Sequence, residues 1–133
     1  MLTTEIDDLL TLLAIIIFAD QRVFAQEIDT FMKEARELQI AREIEPRLTE
    51  ARLLTWFEMH RDDLKAQIDA TDYAAWLGRL LDRLSPLPDK TLILDVMYKI
   101  AISDGEMHKS EKYLIAFSAQ RWNIKYHPPA LSA

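Results

Sequence analysis

Residues 71–84 read Thr71-Asp72-Tyr73-Ala74-Ala75-Trp76-Leu77-Gly78-Arg79-Leu80-Leu81-Asp82-Arg83-Leu84. Tyr73, Trp76, Leu77, Leu80, Leu81 and Leu84 fall at i, i+3, i+4, i+7, i+8 and i+11, the period of a helix with one apolar face. Thr71 is the expected cap. This is the strongest period in the chain, and every neighbouring segment repeats it in weaker form. Downstream, Ser85-Pro86-Leu87-Pro88 stops the helix, because neither proline donates a backbone hydrogen bond and the residues before them avoid the α region. Asp89 then caps a helix over about 90–102, carrying Leu92, Ile93, Val96, Met97 and Ile100 inward. A loop at 103–109 leads to a last helix over about 110–122. His127-Pro128-Pro129 reads as loose chain, so the domain is taken as 1–125 and the tail as 126–133.

Upstream, Leu9–Ala19 is apolar except for Thr11. A membrane span needs about 20 residues, and Asp7, Asp8 and Asp20 bracket this run closely. It reads instead as a core helix covered on all sides, opened by a capping pair of Thr4 and Asp7. A second helix, about 25–39, carries Ile28, Phe31, Met32, Ala35 and Leu38 on one stripe. Pro46 suits the first position of a third, running to Met59 with Leu53, Leu54 and Phe57 inward. A short fourth covers about 62–69. About seven helices result and nothing predicts a strand: the fold class is all-α.

The 133 residues are half hydrophobic and 29% charged, with two Gly and no Cys. That suffices for one packed domain and excludes a disordered linker. Without cysteine there are no disulfides, thiolate metal sites or thiol nucleophiles. The net charge of −6 is uneven, since residues 1–66 hold 14 acidic and 8 basic side chains and residues 67–133 hold 8 of each. An acidic surface repels phosphate backbones and anionic lipid, so neither nucleic acid nor a membrane is expected as partner. Cations, or the basic face of another protein, suit it better. The opening Met1-Leu2-Thr3-Thr4-Glu5 lacks the basic stretch of a secretory signal, and a cytoplasmic location is expected.

Sliding the chain on itself by 84 residues superposes the first two helices on the last two. Ile16 meets Ile100, Asp20 meets Asp104, Glu27 meets Glu111, Ala35 meets Ala119 and Ile40 meets Ile124. Each inter-helix loop thus reads Asp, six residues, Glu. The glutamates fall in the first turn of a helix, where a carboxylate is favoured. The aspartates fall just past a helix C-terminus, where it is not. Gly105 implies a turn with φ > 0, and Gln21 occupies the equivalent place in the first loop. Two readings stay open. Each Asp can cap loop amides while each Glu caps its helix. Alternatively, Asp20, Glu27, Asp104 and Glu111 converge as oxygen ligands for a hard cation such as calcium, magnesium or manganese.

The stretch Asp104-Gly105-Glu106-Met107-His108-Lys109-Ser110-Glu111, following Tyr98-Lys99-Ile100-Ala101-Ile102-Ser103, resembles the signature of the tellurite-resistance TerB family. Related domains also occur in a DnaJ-like co-chaperone. The resemblance implies a compact orthogonal helical bundle with pseudo-twofold helix pairs, a patch of acidic residues that binds metal, and a non-catalytic role in stress response. Asp20, Glu27, Asp104 and Glu111 match the family's acidic positions one by one. Gln21 departs from its glycine.

Other chemistry finds little support. His60, His108 and His127 form no His-x3-His or Glu-x-x-His pattern. His108, four residues after Asp104, is an auxiliary ligand or a solvent-facing loop residue. Glu58, His60, Asp62 and Asp63 read as a solvated helix end, and the three tryptophans as core. No P-loop, Gly-x-Ser-x-Gly or dinucleotide-binding pattern is present. The expected function is therefore a TerB-like stress-response module, not an enzyme. Two alternatives are a helical adaptor for a basic protein partner with no metal role and, least supported, a metal-dependent hydrolase lacking a nameable nucleophile or pocket. Homodimerisation is left open.

Overall fold

Among the described residues six helices follow one another: α1 (Thr4–Phe18), α2 (Ala25–Ala41), α3 (Glu50–Asp69), α4 (Tyr73–Leu84), α5 (Lys90–Ala101) and α6 (Lys109–Arg121). They are seen in a computed structural model that describes residues 4–19, 25–41, 48–103, 105 and 107–128. No strand occurs among the described residues, and the chain is all-α as its apolar periods require.

The apolar run at the N-terminal end is the centre of the bundle. Every residue from Asp8 to Phe18 is buried, and α1 packs against α2, α3, α4 and α5. Thr11 is tolerated there because its hydroxyl donates to Asp7 O at 2.7 Å. None of the helices in the described residues is long and apolar enough to cross a membrane. Phe18 of α1, Phe31 of α2 and Phe57 of α3 form the aromatic core, with ring centroids 5.5 Å (Phe18–Phe57) and 5.7 Å (Phe31–Phe57) apart. Trp56 Nε1 donates to Asp7 Oδ1 at 3.0 Å while adjacent Phe57 stacks on Phe18. Asp7 and Phe18 lie about 16 Å apart along the α1 axis, so α3 lies across α1 rather than alongside it.

Several local expectations are corrected. The segments expected as a third and a fourth helix are one 20-residue helix, α3. His60-Arg61-Asp62-Asp63 is polar but holds neither Gly nor Pro, so nothing interrupts the backbone. Pro46 lies outside the described residues. Leu48 and Thr49 after it are not helical, and Thr49 Oγ1 caps α3 by accepting from Arg52 N–H at 3.3 Å. Leu54 is 41% exposed, because the buried face is Leu53, Trp56, Phe57 and Leu64. Thr4 is already helical, and Asp7 Oδ1 accepts from Trp56 Nε1. Asp72 and not Thr71 sits at the N-cap of α4, without a side-chain bond. Asp89 does hold the N-cap position of α5, but in the left-handed region (φ 55°) and again without a side-chain bond.

α4 buries Leu77, Leu80, Leu81 and Leu84 as its period predicts. Gly78 lets the Arg121 guanidinium pass over α4, where a Cβ would stand 3.1 Å from Cζ, on its way to a two-bond contact with Asp82 at 2.9 and 2.8 Å. α6 ends in a left-handed Asn123 (φ 57°), with Ile124 N–H returning to Ala119 O at 2.8 Å. Beyond it, Tyr126 Oη donates to Asp95 Oδ1 at 2.6 Å and ties the extended segment to α5.

The 84-residue offset survives in the helix register. α2 begins at Ala25 and α6 at Lys109, the same distance apart. Within each pair the helices pack on one another, and the pairs meet through α1 and α5.

Candidate metal centre

Glu27 and Glu111 are each the third residue of their helix, in the first turns of α2 and α6. Both are completely buried, which is unusual for a first-turn carboxylate that could reach solvent. The helix N-terminus supplies partial positive charge and free N–H groups, which lower the cost of burying these anions. At the second corner the geometry is resolved further. His108 is the N-cap of α6, and its backbone N–H donates to Glu111 Oε1 at 3.0 Å, one arm of a capping box. Glu111 thus performs the capping role the sequence allows, with one of its two oxygens. The second oxygen, Oε2, is buried, as are Glu27 Oε2 and His108 Nε2. His108 is half-buried, not the solvent-facing loop residue expected, because the N-cap position folds it against α6.

The turn before it behaves as Gly105 requires. Gly105 has φ 93°, and its N–H donates to Ile102 O at 2.9 Å. Asp20, Gln21, Asp104 and Glu106 lie outside the described residues. Among the described residues, no three His, Asp or Glu side chains gather closely enough to hold a metal ion.

The described ends of the two helix pairs come close at one recess. Ala19, the residue before Asp20, lines one recess of ≈ 340 Å³ with Lys109 and Ser110 from the first turn of α6. Tyr73 and Leu77 of α4 complete its wall, with Ile68, Tyr113 and Leu114. Burial there raises the Tyr73 hydroxyl from 10.0 to about 12, with a smaller contribution from Tyr113.

A family model, Tellurite resistance protein TerB, matches residues 7–125. The chain belongs to the TerB family. The match covers both corners and all the described helices except the first three residues of α1. No curated protein and no solved structure matches the chain.

Of the other acidic and histidine candidates, His60 and Glu58 have structural partners. His60 lies within α3, stacks on Trp56 with centroids 4.3 Å apart, and places a ring nitrogen 2.7 Å from Trp56 O. Glu58 pairs with Arg61 at 3.3 Å on the surface, beside exposed Asp62 and Asp63. Two buried acids take remote partners that the sequence did not indicate. Asp8 accepts two bonds from Arg83, at 3.0 and 3.2 Å, and Glu34 pairs with Lys99 at 3.5 Å. Both sit on helix faces turned to the core, a placement that apolar periods reveal only after the partner is known.

Proposed function

We propose that this TerB domain is a non-catalytic stress-response module, associated with tellurite resistance, that holds one divalent cation between its two corners. The observation that carries this reading is the complete burial of Glu27 and Glu111 at equivalent positions of α2 and α6. Buried carboxylates are stabilised by partners or by metal, and the same burial recurs at both corners. The donor set fits a hard cation: carboxylate oxygens select calcium, magnesium or manganese over softer metals. Glu27 and Glu111 would hold it with Asp20 and Asp104, and His108 Nε2 is a further donor at the second corner. The cation would act as a cross-link between the two helix pairs and supply no chemistry of bond breaking.

Thermal melting tests this. Millimolar calcium, magnesium or manganese should raise the melting temperature, since binding at 100 times Kd adds about 2.7 kcal/mol. Asp104→Asn should abolish the rise. An unchanged melting temperature with all three metals would leave the capping role alone.

A second reading is an adaptor for a basic protein partner. It is favoured by the outer face of α3, where Glu58, Asp62 and Asp63 surround Met59, itself 71% exposed. Charge reversal at Asp62 and Asp63 should weaken capture of such a partner, and undiminished capture would count against it.

A further inference from the structure

An elongated groove of ≈ 810 Å³ lies against α6, away from the two glutamates in character. Ala116 and Ala119 of that helix lie along it, with Lys112 one turn before them and Asn123 just past the helix end. Tyr98 of α5 borders it, as do Ile124 and Tyr126 of the segment that Asp95 ties down. The volume lies within the range of small-molecule sites, roughly 300–1,000 Å³.

Its charge runs opposite to that of the chain. The protein carries a net −6, yet among the described residues no acidic one lines the groove, and two lysines do: Lys112 and Lys125. Both are exposed, and neither has an ion-pair partner among the described residues. The other lysines near α5 are engaged, Lys99 with Glu34 and Lys90 with the carbonyls of Ser85 and Leu87. An apolar trough with unpaired cations at its rim matches a molecule with an apolar body and an anionic head.

We propose that this groove binds an elongated anionic amphiphile of the fatty-carboxylate class, its chain along α6 and its head group met by the rim lysines. The proposal is independent of the cation site and survives its failure. Burial of the chain supplies most of the affinity, about fourfold in Kd per methylene. The exposed lysines supply selectivity for the sign of the head, about two- to fivefold each, and less at high salt.

The test is displacement of 11-(dansylamino)undecanoic acid from the full chain by decanoate, dodecanoate, dodecanol and dodecyltrimethylammonium, all below micelle formation. Expected are one site per chain, dodecanoate binding about 15-fold tighter than decanoate, and weaker binding of the alcohol and the cation. The Lys112→Gln/Lys125→Gln double variant should lose at least about fivefold for dodecanoate while keeping the chain-length trend. Ala116→Trp should abolish binding with an unchanged melting temperature, since Ala116 is exposed and the new ring fills the trough. Absence of saturable binding, equal affinity for the cationic amphiphile, or undiminished binding by Ala116→Trp would overturn the proposal. So would a dimer that Ala116→Trp dissociates, which gives the groove to a second copy. Binding seen only after deletion of residues 129–133 would likewise overturn it, in favour of the chain's own end.

Discussion

A first-turn glutamate ordinarily points along the surface; Glu27 and Glu111 are instead fully enclosed. Local physics explains why they tolerate it, because the helix N-terminus offers both field and donors. It does not explain why two corners repeat it, and the repeat motivates the shared-cation reading. Tyr73, in the recess between those corners, is a second enclosed titratable group. Its hydroxyl is raised to about 12 by burial, so the folded state keeps a proton that the unfolded chain releases near 10. The resulting stability is fully present below pH 10 and is lost as pH rises from 10 toward 12. A shift of this size corresponds to about 2–3 kcal/mol. Urea midpoints measured across that range should fall, and Tyr73→Phe should flatten the fall; an equally steep fall in the variant would place the alkaline lability elsewhere. At this scale the sequence was readable where a residue answers to its neighbours in the chain, as with Gly105 and the two glutamates. It was opaque where the partner is remote. Asp7 meets Trp56 from 49 residues away and Asp8 meets Arg83 from 75, so one could not be told from a cap nor the other from a flanking charge.

Helices were legible from period and breakers, and errors arose where polarity imitated a break. His60-Arg61-Asp62-Asp63 looks like a helix end, but polar residues alone leave the backbone ladder intact, and α3 continues to Asp69. Caps were the other weak point, because Thr71 and Asp72 are both good capping residues and adjacent. α4 also offers a direct test of how its crossing with α6 is made. The Gly78 position is open apart from the far end of the Arg121 side chain, which is flexible and on the surface. Gly78→Ala should therefore stabilise the domain by up to about 1 kcal/mol through helix propensity, while Arg121 shifts by a few tenths of an ångström and loosens from Asp82. Guanidinium denaturation gives the sign. A loss exceeding 1 kcal/mol would mean that the guanidinium cannot yield. Asp82 itself is held below the ordinary carboxylate range, chiefly by its hydrogen bond from Arg121. Its contribution is present at neutral pH and fades as acid titrates it.

For the whole molecule, α1 is the element on which the others depend, since four helices bury their faces against it. Ile16 is fully enclosed, and Ile16→Ala should cost about 2–5 kcal/mol in equilibrium unfolding; a cost under 1 kcal/mol would show that the centre of the bundle is elsewhere. The all-helical architecture and the helix-pair repeat could be read in advance because an apolar run covered on all sides needs neighbours on all sides. The placement of the corners could not, since it depends on how the two pairs meet through α1 and α5. That meeting brings Ala19 beside Lys109 and Ser110, and the central claim is that the acids flanking these points, Asp20 and Glu27 with Asp104 and Glu111, share one ion. Calorimetric titration with manganese or calcium measures this through stoichiometry. The account predicts one cation per chain, lost when either Asp20→Asn or Asp104→Asn neutralises a single corner. Two cations per chain, or binding that persists with one corner neutralised, would contradict it.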